Sequence, residues 1–251
     1  MANLRRGSRG PEVRTLQEAL NRNLYPNPNL VVDGIFGANT QTAVRAFQRQ
    51  ASISIDGVAG PQTKAALGMS TTGDAYTHRI RLHFRSLTLT DVPFNRILAS
   101  TQEIYSQYNI KVDYGSGESL NLTPAEATRF QQVDGRCTWN VTTGEYADLQ
   151  RLGSPAPNND IIVYFVDRFS QALNGCGGHL NNRPACIVAK AGTQWCTAHE
   201  VCHVLLTSSF APVHMAPTAN LMHSVDIQRS TPTLTPAQVT RIKASPLCRA
   251  I

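Results

Sequence analysis

One stretch of this chain is written twice. "DGIFGANTQTAVRAFQ" at residues 33–48 is echoed by "DGVAGPQTKAAL" at residues 56–67. Each copy runs Asp-Gly, an apolar residue, a variable residue, Gly, and then a Thr-containing helix start. Gly34 and Gly57 suit turn positions with positive φ, and Asp33 and Asp56 suit turns closed by their own side chains. After the first copy, Val44 and Phe47 lie on one helical face. Before it, "PEVRTLQEAL" places Val13, Leu16 and Leu20 on one stripe, with Pro11 at the position where a helix starts best. A chain built this way folds, over its first 68 residues, into a small all-α unit of three helices whose loops repeat.

The pattern then changes. Residues 69–77, "MSTTGDAYT", are small and polar, as expected of a linker. "RIRLHFRSLTL" (79–89) alternates as a strand through Ile80, Leu82 and Phe84, and residues 93–109 carry helical spacing at Phe94, Ile97, Leu98, Ile104 and Tyr105. Further strands are expected at 110–115, 160–169 and 186–192. A helix follows. The expected organisation is a helical domain at 1–68, a linker at 69–77 and an α+β domain at 78–251, with a twisted mixed sheet, two main helices and a C-terminal helix.

At 251 residues, 41% apolar and 16% charged, the chain has the make-up of a folded globular protein with room for two unequal domains. No apolar run approaches the roughly 20 residues that span a bilayer. The opening "MANLRRGSRG" lacks the apolar core of a secretory leader. The cysteines nonetheless point outside the cytoplasm. Cys137, Cys176, Cys186, Cys196, Cys202 and Cys248 all lie in the second region, and none forms a C-x-x-C pair. An even set of this kind reads as three disulfides in an oxidising compartment, with buried thiols as the alternative. The expected pairs are Cys176–Cys186, Cys202–Cys248 and, by remainder, Cys137–Cys196. A net charge of +6 suits an anionic surface such as a bacterial wall; no nucleic-acid partner is expected.

Residues 4–68 resemble the small peptidoglycan-binding domain of bacterial cell-wall enzymes, through "LRRGSRGPEVRTLQEAL", "VDGIFGANTQTAVRAFQ" and "IDGVAGPQTKAALG". The resemblance implies anchoring to the wall; the same helical unit also serves as a packing or pro-segment in other metalloproteases.

The chemistry lies in "TAHEVCHVLL", residues 197–206. On a helix, His199 and His203 are about 40° apart around the axis and one turn along it, so one metal ion can reach both. Glu200 lies beside them, able to take a proton from an activated water without being a ligand. A catalytic zinc needs a third protein ligand and an open position. The continuation to residue 223 resembles the metzincin metallopeptidases, in which a third histidine and a methionine turn follow the helix. "ANLMH" (219–223) matches that turn, with Met222 as its methionine, and the resemblance implies that "CIVAKAG" (186–192) is the edge strand beside the cleft. Leu206 and Ser209, however, stand where the family has glycine and histidine. The resemblance therefore implies a third ligand displaced to His214, with His223 and Asp226 as rivals. No Glu occurs after Glu200 to serve instead. His223 is also a candidate to steady the oxyanion. Cys202 reads as packing or disulfide, His179 as a loop histidine, and His78 and His83 as structural.

The function expected is hydrolysis of peptide bonds by one zinc ion at the cell wall. The substrate is protein or the peptide part of peptidoglycan, with a non-catalytic zinc-containing wall-binding protein and a delivered toxin as the other readings.

Overall fold

The computed structural model describes residues 3–69, 76–135, 141–224 and 231–251. The chain forms two compact units: Met1–Tyr76 with Gln102–Asn109, and Thr77–Thr101 with Ile110–Ile251.

In the first unit α1 (Pro11–Asn23), α2 (Ala38–Gln50) and α3 (Pro61–Ala66) surround a core that includes Val13, Leu16, Leu20, Val44 and Phe47. Pro11 and Pro61 sit in the first turns of their helices, where a missing N–H costs nothing. Gly34 and Gly57 both have φ 75, the left-handed turn that the repeat demands. The repeat also extends to a feature that sequence reasoning passed over. Gln17 and Gln48 are buried amides, and each reads one Asp-Gly loop in the same way. Gln17 Nε2 donates to Asp33 Oδ1, Ile35 O and Thr40 Oγ1, and its Oε1 accepts from Gly34 N. Gln48 Nε2 donates to Asp56 Oδ1, Val58 O and Thr63 Oγ1, and its Oε1 accepts from Gly57 N. The signal was "VRTLQ" (13–17) against "VRAFQ" (44–48).

The second unit is built on one sheet of order β2-β1-β3-β5-β4: β1 (His78–Ser86), β2 (Ile110–Ser119), β3 (Ile161–Val166), β4 (Gly175–Cys176) and β5 (Ala185–Ala189). The first four in spatial order are parallel; β4 is antiparallel to β5, and β6 (Arg249–Ala250) is antiparallel to the start of β1. The fold is thus mixed α+β, as expected. α4 (Phe94–Ser106) links β1 to β2, the short α5 (Pro124–Arg129) and α6 (Glu145–Leu149) precede β3, and α7 (Cys196–Leu206) and α8 (Pro236–Lys243) follow β5. A core of Ile162, Tyr164 and Val166 with Ala185, Ile187 and Ala189 fills one sheet face.

Two expectations are corrected. The 186–192 segment is not the edge: β5 pairs with β3 on one side and with β4 on the other. β4 has two paired residues, too few to show a period in sequence. The expected disulfides also fail. Cys186, Cys196, Cys202 and Cys248 are buried thiols, which removes the Cys176–Cys186, Cys202–Cys248 and Cys137–Cys196 pairs. Thiols of low polarity are well accommodated in a core, so their burial needs no bond. Cys176 is disulfide-bonded, and Cys137 lies outside the described residues.

His83 is held within β1's surroundings. Its Nε2 meets Asp160 Oδ2 at 3.1 Å, its Nδ1 meets Ser116 Oγ at 2.9 Å, and Asp160 Oδ1 accepts from Arg249 at 2.8 Å. This buried network ties β6 to the sheet. His78 contacts Thr77 Oγ1, and His179 Nδ1 meets Leu180 O. None of these three histidines belongs to the cluster described next.

Candidate functional site

α7 is apolar nearly all round, so it is buried rather than amphipathic; among its residues Val201, Cys202, Val204 and Leu205 are sealed from water. It ends at Thr207, whose φ of 63 turns the chain away. The turn comes directly after Leu206, the last residue of α7.

His199, His203 and His214 converge: each offers one nitrogen, and these atoms all lie within 4.8 Å of one another. The Nε2 atoms of His199 and His203 are 3.0 Å apart. Two nitrogens held at about 2.0–2.1 Å by one tetrahedral zinc would lie about 3.3–3.4 Å apart, so the pair is close to the ligating separation. The His214 ring lies 5.5 Å from that of His199 and 5.0 Å from that of His203, centroid to centroid.

The rings are also in the state a metal needs. Burial pushes His199 down to about 4 and His203 down to about 2, and it lowers His214 as well. All three are neutral at pH 7, with lone pairs to give. His199 Nδ1 bonds Leu221 O at 2.7 Å, which assigns its proton to Nδ1 and turns the Nε2 lone pair toward His203.

The segment that brings in His214 is clipped to the chain around Met222. Met222, fully buried, accepts from Met215 N at 2.7 Å through its carbonyl and donates its own N–H to Asn220 Oδ1 at 2.9 Å. Asn220 in turn exchanges two bonds with the buried amide of Gln238, which sits in the first turn of α8 as part of a capping box. Asn220, Gln238 and the Leu221 carbonyl are site residues that the sequence analysis did not single out. The capping signature "TPAQ" (235–238) was readable, but nothing in the sequence linked it to residue 220.

A cleft of about 420 Å³ opens on this cluster. His199, Glu200, His203, His214 and His223 line it, together with the Ala172–Gly178 strip, Val213 and Ser224. Glu200 is buried, and its carboxylate presses on the backbone of β4. A β-carbon on Gly175 would fall 2.4 Å from Glu200 Oε1, and one on Gly177 would fall 2.5 Å from His203 Cβ. Only glycine allows this approach. His223 shares the cleft but not the ligand cluster; Asp226, the other rival ligand, lies outside the described residues.

Three neutral imidazoles converging beside a carboxylate fit a catalytic zinc by the chemistry of the donor set. The arrangement can bind a borderline-soft divalent cation and place a general base next to it.

Comparison with known proteins adds the following. Residues 9–67 match the family described as "Putative peptidoglycan binding domain". An N-acetylmuramoyl-L-alanine amidase of Bacillus licheniformis is 38% identical over 64 residues, 26% of this chain and 18% of that protein. A spore cortex-lytic enzyme of Bacillus cereus is 38% identical over 74 residues, 30% of this chain and 28% of the enzyme. The chain thus spans less than a third of the length of these curated relatives. Among solved structures, an archaemetzincin of Methanopyrus kandleri aligns over 66% of this chain and 94% of its own at 13% identity, with a TM-score of 0.40. The chain carries an N-terminal peptidoglycan-binding domain, and its relatives include enzymes that act on the cell wall. No helix among the described residues is long and apolar enough to cross a membrane.

Proposed function

We propose that this chain is a zinc-dependent metallopeptidase, working outside the cytoplasm and held at the bacterial wall by residues 4–68. The observation that carries the reading is the convergence of the His199, His203 and His214 nitrogens within 4.8 Å, in a cleft that also contains Glu200. Zinc, when bound there, supplies a Lewis acid that polarises a carbonyl and acidifies water. The three histidines hold the ion. Glu200 takes the proton of the attacking water on its carboxylate and passes it to the leaving amine. The glycine backbone of β4 lies against that carboxylate, so an extended peptide laid beside β4 meets the base. His223 lines the same cleft and is the group available to steady the oxyanion.

The described lining contains no Lys or Arg, which suits an internal stretch of polypeptide rather than a chain end with a free carboxylate. The second reading, cleavage of peptidoglycan peptides, is favoured by the N-terminal binding domain.

The test is metal content followed by turnover. The purified wild type should hold one zinc per chain under mild chelation, and His214→Ala should lose it. Glu200→Gln should keep zinc and lose at least about 100-fold in rate, the usual worth of a general base. A wild type without zinc ends the enzyme reading; zinc retained in Glu200→Gln with undiminished turnover ends the mechanism. Casein hydrolysis against release from purified sacculi separates the two substrates.

A further inference from the structure

The cleft wall that touches Glu200 and His203 is poorly supported by the sheet. β4 pairs with β5 only at Gly175↔Val188 and Cys176↔Ile187, and the strand ends there. Gly177 and Gly178 continue the wall beyond the ladder. The wall lies close against Glu200 and His203, since no β-carbon would fit at Gly175 or Gly177.

Where the ladder stops, the wall also has the disulfide at Cys176 and a bond from Val141 N to His179 O at 3.1 Å, and two side chains from the α6 region reach the carbonyls that these leave. The Tyr146 hydroxyl reaches Cys176 O at 2.9 Å and Gly178 O at 2.8 Å, spanning the two. Gln150 Nε2 donates to Gly178 O at 2.8 Å, and its Oε1 accepts from Leu180 N at 3.0 Å. Both side chains are sealed from solvent, Tyr146 at 2% exposure and Gln150 at 0%. Gln150 is fixed from behind, since the Tyr164 hydroxyl on β3 donates to its carbonyl at 2.9 Å. Buried bonds of this kind hold a loop in one place because every alternative position leaves a carbonyl unpaired.

We infer that Tyr146 and Gln150 are positioning residues: they hold the Cys176–Leu180 wall against Glu200 and His203, and so set where the base stands relative to a bound peptide. The inference rests on the peptidase reading for its catalytic half, but the clamp itself is testable without turnover. Neither residue belongs to the histidine cluster, so removing the clamp should leave zinc affinity almost unchanged while the wall loosens.

The experiment compares Tyr146→Phe and Gln150→Met with Tyr164→Phe in the full chain. Backbone amide exchange at Gly177 and Leu180 should rise at least tenfold in the first two variants, and zinc affinity should stay within about threefold of wild type. In active protein kcat should fall about tenfold with KM changed less than threefold. Tyr164→Phe, which loses a buried hydroxyl one step further from the wall, should keep kcat within about twofold. Unchanged exchange at Gly177 and Leu180 overturns the clamp. Losses of kcat that merely track thermal stability across all three variants overturn the positioning role. A wild type that binds no zinc counts against the proposed function instead, and the exchange result still decides the clamp.

Discussion

Replacing Gln17 with Leu asks how much one buried amide contributes to the helical unit. Leucine keeps most of the volume and removes every polar atom. The acceptors that Gln17 serves are not stranded: Asp33 Oδ1 also accepts from Ile35 N at 2.8 Å, and Ile35 O also accepts from Gly37 N at 2.9 Å. The group left without its partner is the Gly34 N–H, which now meets Gln17 Oε1 at 2.9 Å in a buried setting. An orphaned buried donor costs about 1–3 kcal/mol, and the net loss of the remaining bonds adds about 1 kcal/mol. The added apolar burial offsets about 1 kcal/mol. The net cost is about 1–3 kcal/mol, against a total stability of roughly 3–10 kcal/mol for a unit of this size. Gln48 has the same partners around Gly57, so Gln48→Leu should cost the same within about 1 kcal/mol. Urea unfolding of the full chain, with amide exchange in α1 and α2 assigning the transition, measures both; a midpoint shift of about 4–24 °C is the thermal counterpart. Costs below about 0.5 kcal/mol, or values for the two glutamines that differ by more than about 1.5 kcal/mol, would refute the idea that the repeat is held by two equivalent amides.

Three other outcomes are expected. Gly177→Ala should destabilise by about 1–3 kcal/mol and weaken zinc binding, because its β-carbon would lie 2.5 Å from His203 Cβ and 3.1 Å from Glu200 O, atoms that cannot swing aside; Gly37→Ala, with open space at its β-carbon, should shift the melting temperature by less than about 2 °C in a thermal melt. Chelated protein should lose stability on acidification. His199 and His203 are held below the unfolded value of 6.5, so the unfolded chain binds protons first and the melting temperature should fall as pH drops from 6.5 towards 4; a melting temperature that rises over that range would contradict their burial as neutral rings. Asp160→Ala should cost about 2–4 kcal/mol in urea unfolding, since it leaves Arg249 and the buried His83 without their shared carboxylate.

Much of this protein is written in local patterns, and those were legible. The Asp-Gly loops, the stripe of Val13, Leu16 and Leu20, and the i, i+4 pair of His199 and His203 all act over one or two turns of chain, where backbone sterics and periodicity decide the outcome. The mixed α+β class followed from the same signals. The His214 expectation rested on a longer step, its interval to Met222, and that nitrogen lies within 4.8 Å of the other two.

What joins distant segments was not legible. Gln17 and Gln48 look like ordinary exposed helix residues until the loops they read are folded against them. The two-residue β4 has no period of its own and exists because β5 offers it an edge. Four cysteines expected in disulfides are buried thiols, and Cys196 Sγ donates to the Asn174 carbonyl at 3.3 Å. The Asn220–Gln238 pair and the Tyr146–Gln150 clamp join residues 18 to 32 positions apart through buried amides and a hydroxyl. A sequence carries the residue types for such bonds but not the distances. Only the packed core, by excluding water, decides which polar groups must find each other, and with that which of them shape the site.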